Sequence, residues 1–159
     1  MRTSDKICEL GLLQTLIESW RKDGKIVFTN GCFDILHIGH VDYLEQAAGK
    51  GDRLIVGLNT DNSVKRLKGP ERPVNNEYAR ARVLAALQFV DAVILFDDDT
   101  PANLIEALCP DVLVKGDDYT VENIVGAKFV IANGGKVETI PLVPGVSTTN
   151  ILSTIKKNK

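Results

Sequence analysis

Short apolar runs alternate with amphipathic stretches along this chain. Five runs are continuous, rich in aliphatic residues and followed by polar residues or glycine: "KIVFTN", "RLIVGLN", "AVILF", "DVLVK" and "KVETI". Apolar runs of this length, bounded by turn residues, predict buried strands. Because apolar and polar positions do not alternate within them, they predict a parallel sheet that is covered on both faces.

The stretches between these runs have apolar residues at helical spacing. Leu10, Leu13, Ile17 and Trp20 predict a first helix over about residues 8–21. A second helix is predicted from Gly39 to about Ala48, and a third has Val83, Leu87 and Val90 facing inward. Three further helices are predicted: one begins at Pro101, one spans about residues 121–133, and one begins after Ser147. We interpret "RLKGPERPVNN" as a loop because it contains glycine and prolines.

This alternation of strands and helices predicts one α/β domain. Its fold would be a doubly wound, Rossmann-like sheet of five parallel strands with helices on both faces. We expect a single domain over residues 1–159, with an N-terminal helix in 1–23, a core in 24–155 and a solvated tail in 156–159.

Composition and charge narrow the setting. The 159 residues, 44% of them hydrophobic and 25% charged, are typical of a globular domain. A net charge of −2 gives no general attraction to nucleic acid, and no apolar run approaches the ~20 residues that span a bilayer. No signal peptide is evident, and Cys8, Cys32 and Cys109 form no CxxC pair. We therefore expect a cytoplasmic protein that binds neither nucleic acid nor membrane.

Polar residues follow each predicted strand, in "TNGCFD", "NTDNS", "FDDDTP", "KGDDY" and "PGVSTT". A doubly wound sheet binds its ligands at the carboxyl ends of its strands. The cations Lys68, Arg72, Arg80 and Lys115 lie close to these segments in the sequence. The functional site is therefore predicted at this edge of the sheet.

Both histidines of the chain, His37 and His40, fall in the first of these loops, within "TNGCFDILHIGH". The chain has neither G-x-G-x-x-G after the first strand nor G-x-x-x-x-G-K-[ST], so dehydrogenase and P-loop kinase interpretations lose their main support. In their place an H-x-G-H sequence leads into a helix, whose N-terminus favours anions. Gly39 allows a bulky group to approach the backbone closely.

Four roles for the two histidines are open from the residues alone: metal ligands, an acid/base pair, donors to an anion, or no role. Zinc would require a third ligand in a suitable motif, which the chain lacks. A general base requires a neutral nucleophile that the sequence does not reveal. Donation to an anion fits a helix N-terminus best, and we favour it over the incidental interpretation, in which His37 caps the loop and His40 is solvated.

The motif and its companions resemble a known family. H-x-G-H is typical of the nucleotidyltransferase superfamily, and "GCFDILHIGH" resembles its cytidylyltransferase-like branch. "LKGPERP", "DTP", "VLVKG" and "STTNI" together are similar to the adenylyltransferase domains that activate D-glycero-β-D-manno-heptose 1-phosphate. The resemblance extends from about residue 24 to 155. In this family the domain is often fused to a heptose kinase, and this chain resembles the stand-alone form.

The resemblance implies a reaction and its partners. A sugar phosphate oxygen would attack the α-phosphorus of ATP and release pyrophosphate, giving ADP-heptose for lipopolysaccharide or another surface glycan. Because the nucleophile is already an anion, the site needs positioning and charge neutralisation and not a strong base. Mg²⁺ would be held mainly by the triphosphate, with no dedicated protein ligands. A homo-oligomer and a separate heptose kinase are further expectations.

The resemblance also implies roles for individual residues. His37, His40 and Lys68 would be catalytic, with Lys68 reaching the α-phosphate or the acceptor. Asp34 and Asp61 would join Lys68 in binding the acceptor. The residues expected to bind the nucleotide are Asn30, Gly31, Cys32, Phe33, Gly39, Arg80, Lys115, Asp118, Ser147 and Thr148.

Plainer interpretations compete with several of these roles. Ser147 is equally explained as a helix N-cap, and Asp34 as a turn residue. Lys68 and Arg72 are explained as solvated loop charges. Arg80 and Arg82 share one helix, so at most one of them would face the site. Asp97–Asp99 favour an acidic helix start over a metal site, and this chemistry does not need Cys32 as a nucleophile.

Two other functions compete with adenylyl transfer. The family usually has "KGGDY" where this chain has "KGDDY", with Asp117 in place of glycine. "GDD" followed by an aromatic residue also occurs in cytidylyltransferases for glycerol 3-phosphate and ethanolamine phosphate. A cytidylyltransferase for an alcohol phosphate is therefore the second hypothesis. A nucleotide-binding module without turnover is the third.

Overall fold

The computed structural model describes all residues, Met1–Lys159, and contains one five-stranded sheet in which every pairing is parallel. The strands are β1 (Ile26–Gly31), β2 (Arg53–Asn59), β3 (Ala92–Phe96), β4 (Val112–Gly116) and β5 (Lys136–Ile140). Their spatial order is β3-β2-β1-β4-β5. All five predicted strands and the predicted parallel arrangement are confirmed.

Seven α-helices connect and cover the strands. They are α1 (Leu10–Trp20), α2 (Ile38–Ala48), α3 (Asp61–Lys68), α4 (Glu77–Ala85), α5 (Ala102–Leu108), α6 (Ala127–Ala132) and α7 (Thr148–Lys157). Two short 3₁₀ helices lie at Thr3–Lys6 and Val121–Asn123. The side chains of Thr60, Asn76 and Ser147 cap α3, α4 and α7 by accepting an amide hydrogen from the third helical residue. None of the helices is long and apolar enough to cross a membrane.

The helices cover both faces of the sheet, as predicted. On one face, α1, α5 and α6 pack their buried residues, such as Leu13 and Ile105, against Ile26 and Phe28 of β1. On the other face, α2 and α4 pack Leu44 and Leu84 against strand residues such as Val27 and Val56, whose side chains point to that face. The two apolar layers exist because successive strand residues point to opposite faces. A doubly wound domain is the result.

Three local predictions are wrong. Val83 was predicted to face inward, but it is 48% exposed and the next residue, Leu84, is buried in its place. The helix α4 ends at Ala85, so Leu87 and Val90 do not continue its helical spacing. The predicted helix over 121–133 is broken by Gly126, which has a φ of +85° at the start of α6. Residues 66–68, the first three of the predicted loop, instead form the end of α3. The last helix, α7, runs to Lys157, so two residues of the expected tail are helical and remain exposed.

The strand order creates the place for a ligand. β1 lies between β2 and β4, and the chain turns to opposite sides of the sheet after β1 and after β4. At such a switch point the loops that follow the two strands diverge and leave a crevice. The β1–α2 loop and the β4 end meet there, so the "TNGCFDILHIGH" and "KGDDY" segments are brought together.

Candidate active site

A cavity of about 670 Å³ opens at the carboxyl ends of the strands. This volume lies within the range of roughly 300–1,000 Å³ that ligand pockets occupy. Its walls come from the end of β1, the start of α2, the end of β4, the start of α7 and the segment after α3. The predicted site residues that line it are Asn30, Gly31, Cys32, Phe33, Asp34, His37, Gly39, His40, Lys68, Lys115, Asp118, Ser147 and Thr148.

The two histidines stand side by side on this wall. Their rings are stacked, with 3.8 Å between centroids and an angle of 21° between planes, and the ring of Phe33 packs edge-on against His40 at 5.2 Å. His37 is the N-cap of α2, and its Nδ1 accepts a hydrogen bond from the Gly39 amide at 3.1 Å. A neutral His37 therefore carries its proton on Nε2, which makes this atom a hydrogen-bond donor.

Burial keeps both histidines neutral at pH 7. It lowers the pKa of His37, and it lowers the pKa of His40 to about 4, with a smaller contribution from His37 beside it. His40 Nδ1 is buried and has no protein partner, and neither has Asn30 Oδ1 in the same cavity wall. Buried polar atoms nearly always have a partner, so these two are suited to a ligand or to water. An anion placed there would favour protonation of the imidazoles.

Gly39 brings the histidine loop close to the start of α7. A Cβ on Gly39 would lie 2.9 Å from Cε1 of His37 and 3.7 Å from the Cβ of Val146. The group that approaches the backbone of Gly39 is therefore the His37 ring, with the α7 turn behind it. The N-termini of α2 and α7 both open on the cavity, so two helix dipoles present positive ends there.

Ser147 serves as a cap and still faces the cavity. Its Oγ accepts the Asn150 amide at 3.0 Å, which confirms the N-cap interpretation. The hydroxyl hydrogen remains free to donate, because the oxygen is the acceptor in that bond. Thr148 and Thr149 line the cavity beside it. The start of α7 thus offers hydroxyl groups next to its dipole.

The end of β4 contributes a partly desolvated cation. Lys115 Nζ lies 3.4 Å from the Asn30 carbonyl oxygen and 5.2 Å from the centre of the Tyr119 ring. Burial lowers the pKa of Lys115, and the carboxylate of Asp118 opposes this shift. Tyr119, which is 46% exposed, gives this wall an apolar surface. The combination suits a planar or anionic group of a nucleotide.

Arg80 and Asp61 do not line the cavity, so their predicted ligand contacts stay predictions without support from its lining. Arg80 is 2% exposed, and its Nη1 donates to the carbonyls of Cys32 at 2.7 Å and Asn59 at 2.8 Å. Its Nε donates to the Asn75 carbonyl at 3.0 Å, and its Nη2 to Asp61 at 2.8 Å. Four of the five N–H groups of the guanidinium therefore donate to protein oxygens. The guanidinium ties the ends of β1 and β2 to the segment before α4.

Asp34 lies in the cavity wall, but its carboxylate is also occupied. It accepts hydrogen bonds from Arg72 Nε at 2.8 Å, from the Val74 amide at 2.8 Å and from the Asn75 amide at 2.9 Å. Burial raises its pKa, but these amide and guanidinium hydrogen bonds outweigh that effect and lower it below its usual value. The competing interpretation of Asp34, as a residue that holds a loop, is the one this geometry supports.

Lys68 and Arg72 reach the same cavity from the segment between α3 and α4. Lys68 forms no hydrogen bond or ion pair with the protein, and Arg72 forms its bonds through Nε alone. Both charges act on the thiol of Cys32: burial raises its pKa, and Lys68, Arg80 and Arg72 oppose the rise. A protonated, partly buried thiol is a poor nucleophile. Cys32 is therefore suited to backbone contacts with a ligand.

Sequence reasoning assigned no role to several wall residues. They are Tyr43, Asn59, Leu67, Arg72, Asp99, Thr100, Pro101, Gly116, Tyr119, Val125, Leu142, Val143, Val146 and Thr149. Tyr43 could have been found, because it lies three residues after His40 on one face of α2. Its hydroxyl lies 2.7 Å from Thr29 Oγ1 and donates to the Val114 carbonyl, which joins α2 to the neighbouring strands β1 and β4.

Three carboxylates line the cavity, and two are engaged by arginines. Asp34 pairs with Arg72, and Asp99 pairs with Arg66 at 2.9 Å, while Asp118 forms no ion pair. No group of three or more histidine, cysteine or acidic side chains is arranged to hold a metal ion. One free carboxylate fits Mg²⁺ that is held mainly by phosphate oxygens and water.

Comparison with known proteins identifies the class that this fold and site define. The cytidylyltransferase-like family matches residues 28–154, so the chain belongs to that family. Among curated proteins it is similar to the bifunctional protein HldE of Methylobacillus flagellatus, with 60% identity over 150 residues, and to that of Hyphomonas neptunium, with 62% over 144. The alignments cover 94% and 90% of this chain but 31% and 30% of those proteins. The chain thus spans about a third of these relatives.

Solved structures support the fold assignment. The lipopolysaccharide core biosynthesis protein of Thermoplasma volcanium has a TM-score of 0.60 and 28% identity, over 76% of this chain and 97% of that one. Pantothenate synthetase of Thermus thermophilus has a TM-score of 0.62 over 99% of this chain and 70% of that one, with 18% identity. The second likeness concerns the fold alone. The predicted family and fold class are both confirmed.

Proposed function

We propose that this protein transfers the adenylyl group of ATP to D-glycero-β-D-manno-heptose 1-phosphate, giving ADP-heptose and pyrophosphate. The high identity to HldE proteins over nearly the whole chain supports this substrate. So do the "LKGPERP" and "STTNI" motifs, whose Lys68, Arg72 and Thr148 line the cavity. Nucleotidyl transfer itself is supported by membership of the cytidylyltransferase-like family.

One observation carries the proposal. Two stacked, neutral histidines stand at the N-terminus of α2, close to the N-terminus of α7, and one of them has a buried nitrogen without a partner. The histidines belong to no group of three or more side chains that could hold a metal ion, and neither forms an ion pair with a carboxylate. Hydrogen-bond donors and dipoles with no nucleophile are what an in-line attack on a phosphorus atom requires.

The chemistry balances without a covalent enzyme intermediate. An oxygen of the sugar phosphate forms a new bond to the α-phosphorus of ATP, and the bond from that phosphorus to the bridging oxygen breaks. The electron pair leaves with pyrophosphate, so negative charge grows on the β-phosphate side. His37 and His40 would donate to that side, together with the amides and hydroxyls at the start of α7. Lys68 would neutralise the α-phosphate as the two anions approach.

When bound, Mg²⁺ would neutralise charge on the triphosphate. Asp118 is the residue of this chain that fits a supporting role towards it, because it is the cavity carboxylate that no cation pairs with. The base of the nucleotide would lie along the wall that Tyr119 and Leu142 form, with Lys115 beneath it. Each of these roles follows from the donor type of the residue and its place on the cavity wall.

Release of pyrophosphate over a matrix of substrates tests the proposal. ATP, CTP and GTP would each be combined with heptose 1-phosphate or glycerol 3-phosphate in the presence of Mg²⁺. We expect release from ATP with heptose 1-phosphate. The variant with His37→Ala and His40→Ala together is the control for contaminating activity. Release from no pair would favour a nucleotide-binding module without turnover.

A cytidylyltransferase for an alcohol phosphate is the second candidate, and the "KGDDY" sequence favours it. Asp117, the residue that departs from the family pattern, does not line the cavity. Its amide donates to the Ile140 carbonyl, and its Oδ1 accepts the Leu142 amide at 3.4 Å. Asp117 itself therefore acts on the turn after β4, while Asp118 and Tyr119 of the same sequence line the cavity and keep this candidate open to test. Release from CTP with glycerol 3-phosphate alone would establish this candidate and exclude the first.

The setting is part of the proposal. The relatives are called bifunctional and are about three times as long as this chain. A kinase activity, in this chain's own protein or a separate one, would supply the sugar 1-phosphate. The need for ATP and the three free cysteines favour a cytoplasmic location. We also expect a homo-oligomer, which analytical ultracentrifugation would test.

A further inference from the structure

Arg72 extends from the segment between α3 and α4 into the cavity. Its side chain is 18% exposed, so it is neither buried in the core nor free in solvent. The residue lies four positions after Lys68, and both line the same cavity. Its guanidinium is therefore available to a ligand while its stem is held by protein.

The buried carboxylate of Asp34 holds Arg72 in place. The Asp34 side chain is fully buried, and Oδ2 accepts from Arg72 Nε at 2.8 Å. The same carboxylate accepts the amides of Val74 and Asn75, and the Asn75 side-chain amide donates to the Asp34 carbonyl at 3.0 Å. The hydrogen bonds from Arg72, Val74 and Asn75 thus fix residues 72–75 to Asp34 in the loop after β1. Because Asp34 is buried and held by these bonds, it fixes the direction of the Arg72 guanidinium.

Arg72 retains unused donors. A guanidinium has five N–H groups, and the protein accepts a hydrogen bond from Nε alone. The two terminal NH₂ groups form no hydrogen bond with the protein. Arg80 provides the contrast, since each of its three nitrogens donates to a protein oxygen. Free, oriented NH₂ groups in a cavity suit a phosphate, which arginine binds with two parallel bonds.

The position of Arg72 separates it from the triphosphate donors. His37, Gly39 and Val146 bring the starts of α2 and α7 together. Arg72 and Lys68 come instead from the α3–α4 segment, and both of their charges act on the Cys32 thiol at the end of β1. The cavity therefore has two groups of hydrogen-bond donors built from different segments: the histidines and helix starts, and the cationic pair Lys68 and Arg72. The proposed reaction brings two anions together, a triphosphate and a phosphate monoester.

We propose that Arg72 binds the phosphate of the acceptor sugar, and that Asp34 acts as its positioning residue. This assignment rests on the proposed function for the identity of the acceptor. It replaces the predicted direct contact between Asp34 and the substrate with an indirect one. It also makes Arg72 a binding residue, in contrast to the solvated loop charge that was the plainer interpretation of the sequence.

Steady-state kinetics of Arg72→Ala, Arg72→Lys and Asp34→Asn test this assignment. We expect Arg72→Ala to raise KM for the sugar phosphate by about 10- to 100-fold, the loss of hydrogen bonds to a charged group, with KM for ATP changed less than about threefold. Arg72→Lys should not restore KM, because an ammonium cannot hold Asp34 and the phosphate in the same geometry. Lys65→Ala, which removes an exposed charge from α3 outside the cavity, is the matched control and should leave both constants unchanged.

Asp34→Asn should raise KM for the sugar phosphate in the same direction, and its effect should vanish when Arg72 is already alanine. If Asp34→Asn fails to fold in a thermal unfolding assay, the split between the two KM values in the Arg72 variants decides. Equal increases in KM for ATP and for the acceptor would overturn the proposal, as would full rescue by lysine.

Failure of the proposed function is distinguishable from failure of this inference. If the wild-type protein uses another nucleotide and alcohol phosphate, the same variants are measured with that pair. If no pair turns over, calorimetric titration with inorganic phosphate replaces kinetics. Wild-type affinity in Arg72→Ala would then overturn the inference, and a loss of at least tenfold would support it.

Discussion

The histidine pair and Arg80 were all predicted to bind phosphate groups of the nucleotide, but their surroundings in the structure differ. The role of the histidines was predicted from their place at a helix N-terminus, and the role of Arg80 from the family resemblance. His40 retains a buried nitrogen without a partner in the cavity wall, whereas Arg80 donates every nitrogen to protein oxygens. A polar side chain near a site can bind a ligand only through atoms that face the cavity and have no protein partner.

The two arginines that hold the segment between α3 and α4, Arg72 and Arg80, also differ in how many of their nitrogens the protein uses. Arg80 is buried and donates through all three of its nitrogens, and Arg72 is anchored through one nitrogen with the others free. The first stabilises the fold of the site, and the second extends into it. Substitutions of Arg80 should therefore change mainly stability, and substitutions of Arg72 and of the two histidines should change mainly kinetics.

The largest effect is expected from Arg80→Met. Removal of the guanidinium leaves three carbonyls and the Asp61 carboxylate without their partner, so the free energy of unfolding should fall by about 3–5 kcal/mol. Urea denaturation measures this change. Arg82→Ala, on the same helix but in contact with Thr3 and Tyr78, is the control and should cost less than about 1 kcal/mol. An Arg80→Met variant of wild-type stability with a raised KM for ATP would restore the phosphate-ligand interpretation.

His37→Ala and His40→Ala should lower turnover while the fold stays intact. Each removes a donor to the triphosphate, so kcat should fall on the order of 10²–10³-fold, as for the loss of an oxyanion donor. The pyrophosphate-release assay provides kcat, and near-UV circular dichroism checks that the fold is intact. Near-normal turnover in both variants would exclude the donor role.

Gly39→Ala tests whether the placement of His37 matters apart from its presence. The new Cβ would meet the His37 ring at 2.9 Å and displace it, so we expect kcat to fall about tenfold, the loss that 1.4 kcal/mol of transition-state binding gives. Gly11→Ala in α1, where a Cβ meets nothing within 4 Å, is the matched control. It should leave kcat unchanged and raise stability by up to about 1 kcal/mol. Equal kinetics in the two variants would show that the ring position is not critical.

The smallest effect concerns pH and stability. The folded protein holds the pKa of His40 at about 4, below the usual value of 6.5, because the ring is buried. Between these values the unfolded chain binds more protons, so the free energy of unfolding should fall as the pH decreases from 6.5 towards 4. After allowance for solvent screening, His40 should contribute on the order of 1 kcal/mol.

Urea denaturation of wild-type protein and His40→Gln at several pH values isolates this contribution. The difference in stability between the two should be largest above pH 6.5 and should shrink as the pH falls. A constant difference across this range would mean that His40 titrates alike in the folded and unfolded chain.

Strands and the location of the site could be predicted because their signals are local. The five apolar runs each form a strand, and the polar segments after them converge on one cavity. The break at Gly126 and the outward direction of Val83 depend on how helices end and pack, which spacing alone does not encode. The different fates of Arg72 and Arg80 depend on partners far away in the sequence, such as Asp34 and the Cys32 carbonyl. A count of satisfied donors requires the fold.

The central claim is that the cavity joins a nucleotide to a sugar phosphate, and ³¹P NMR of the reaction mixture tests it most directly. With ATP, heptose 1-phosphate and Mg²⁺, we predict that signals of a sugar nucleotide diphosphate appear together with an equal amount of pyrophosphate. Unchanged ATP under these conditions, or a diphosphate product formed only from CTP, would contradict the claim.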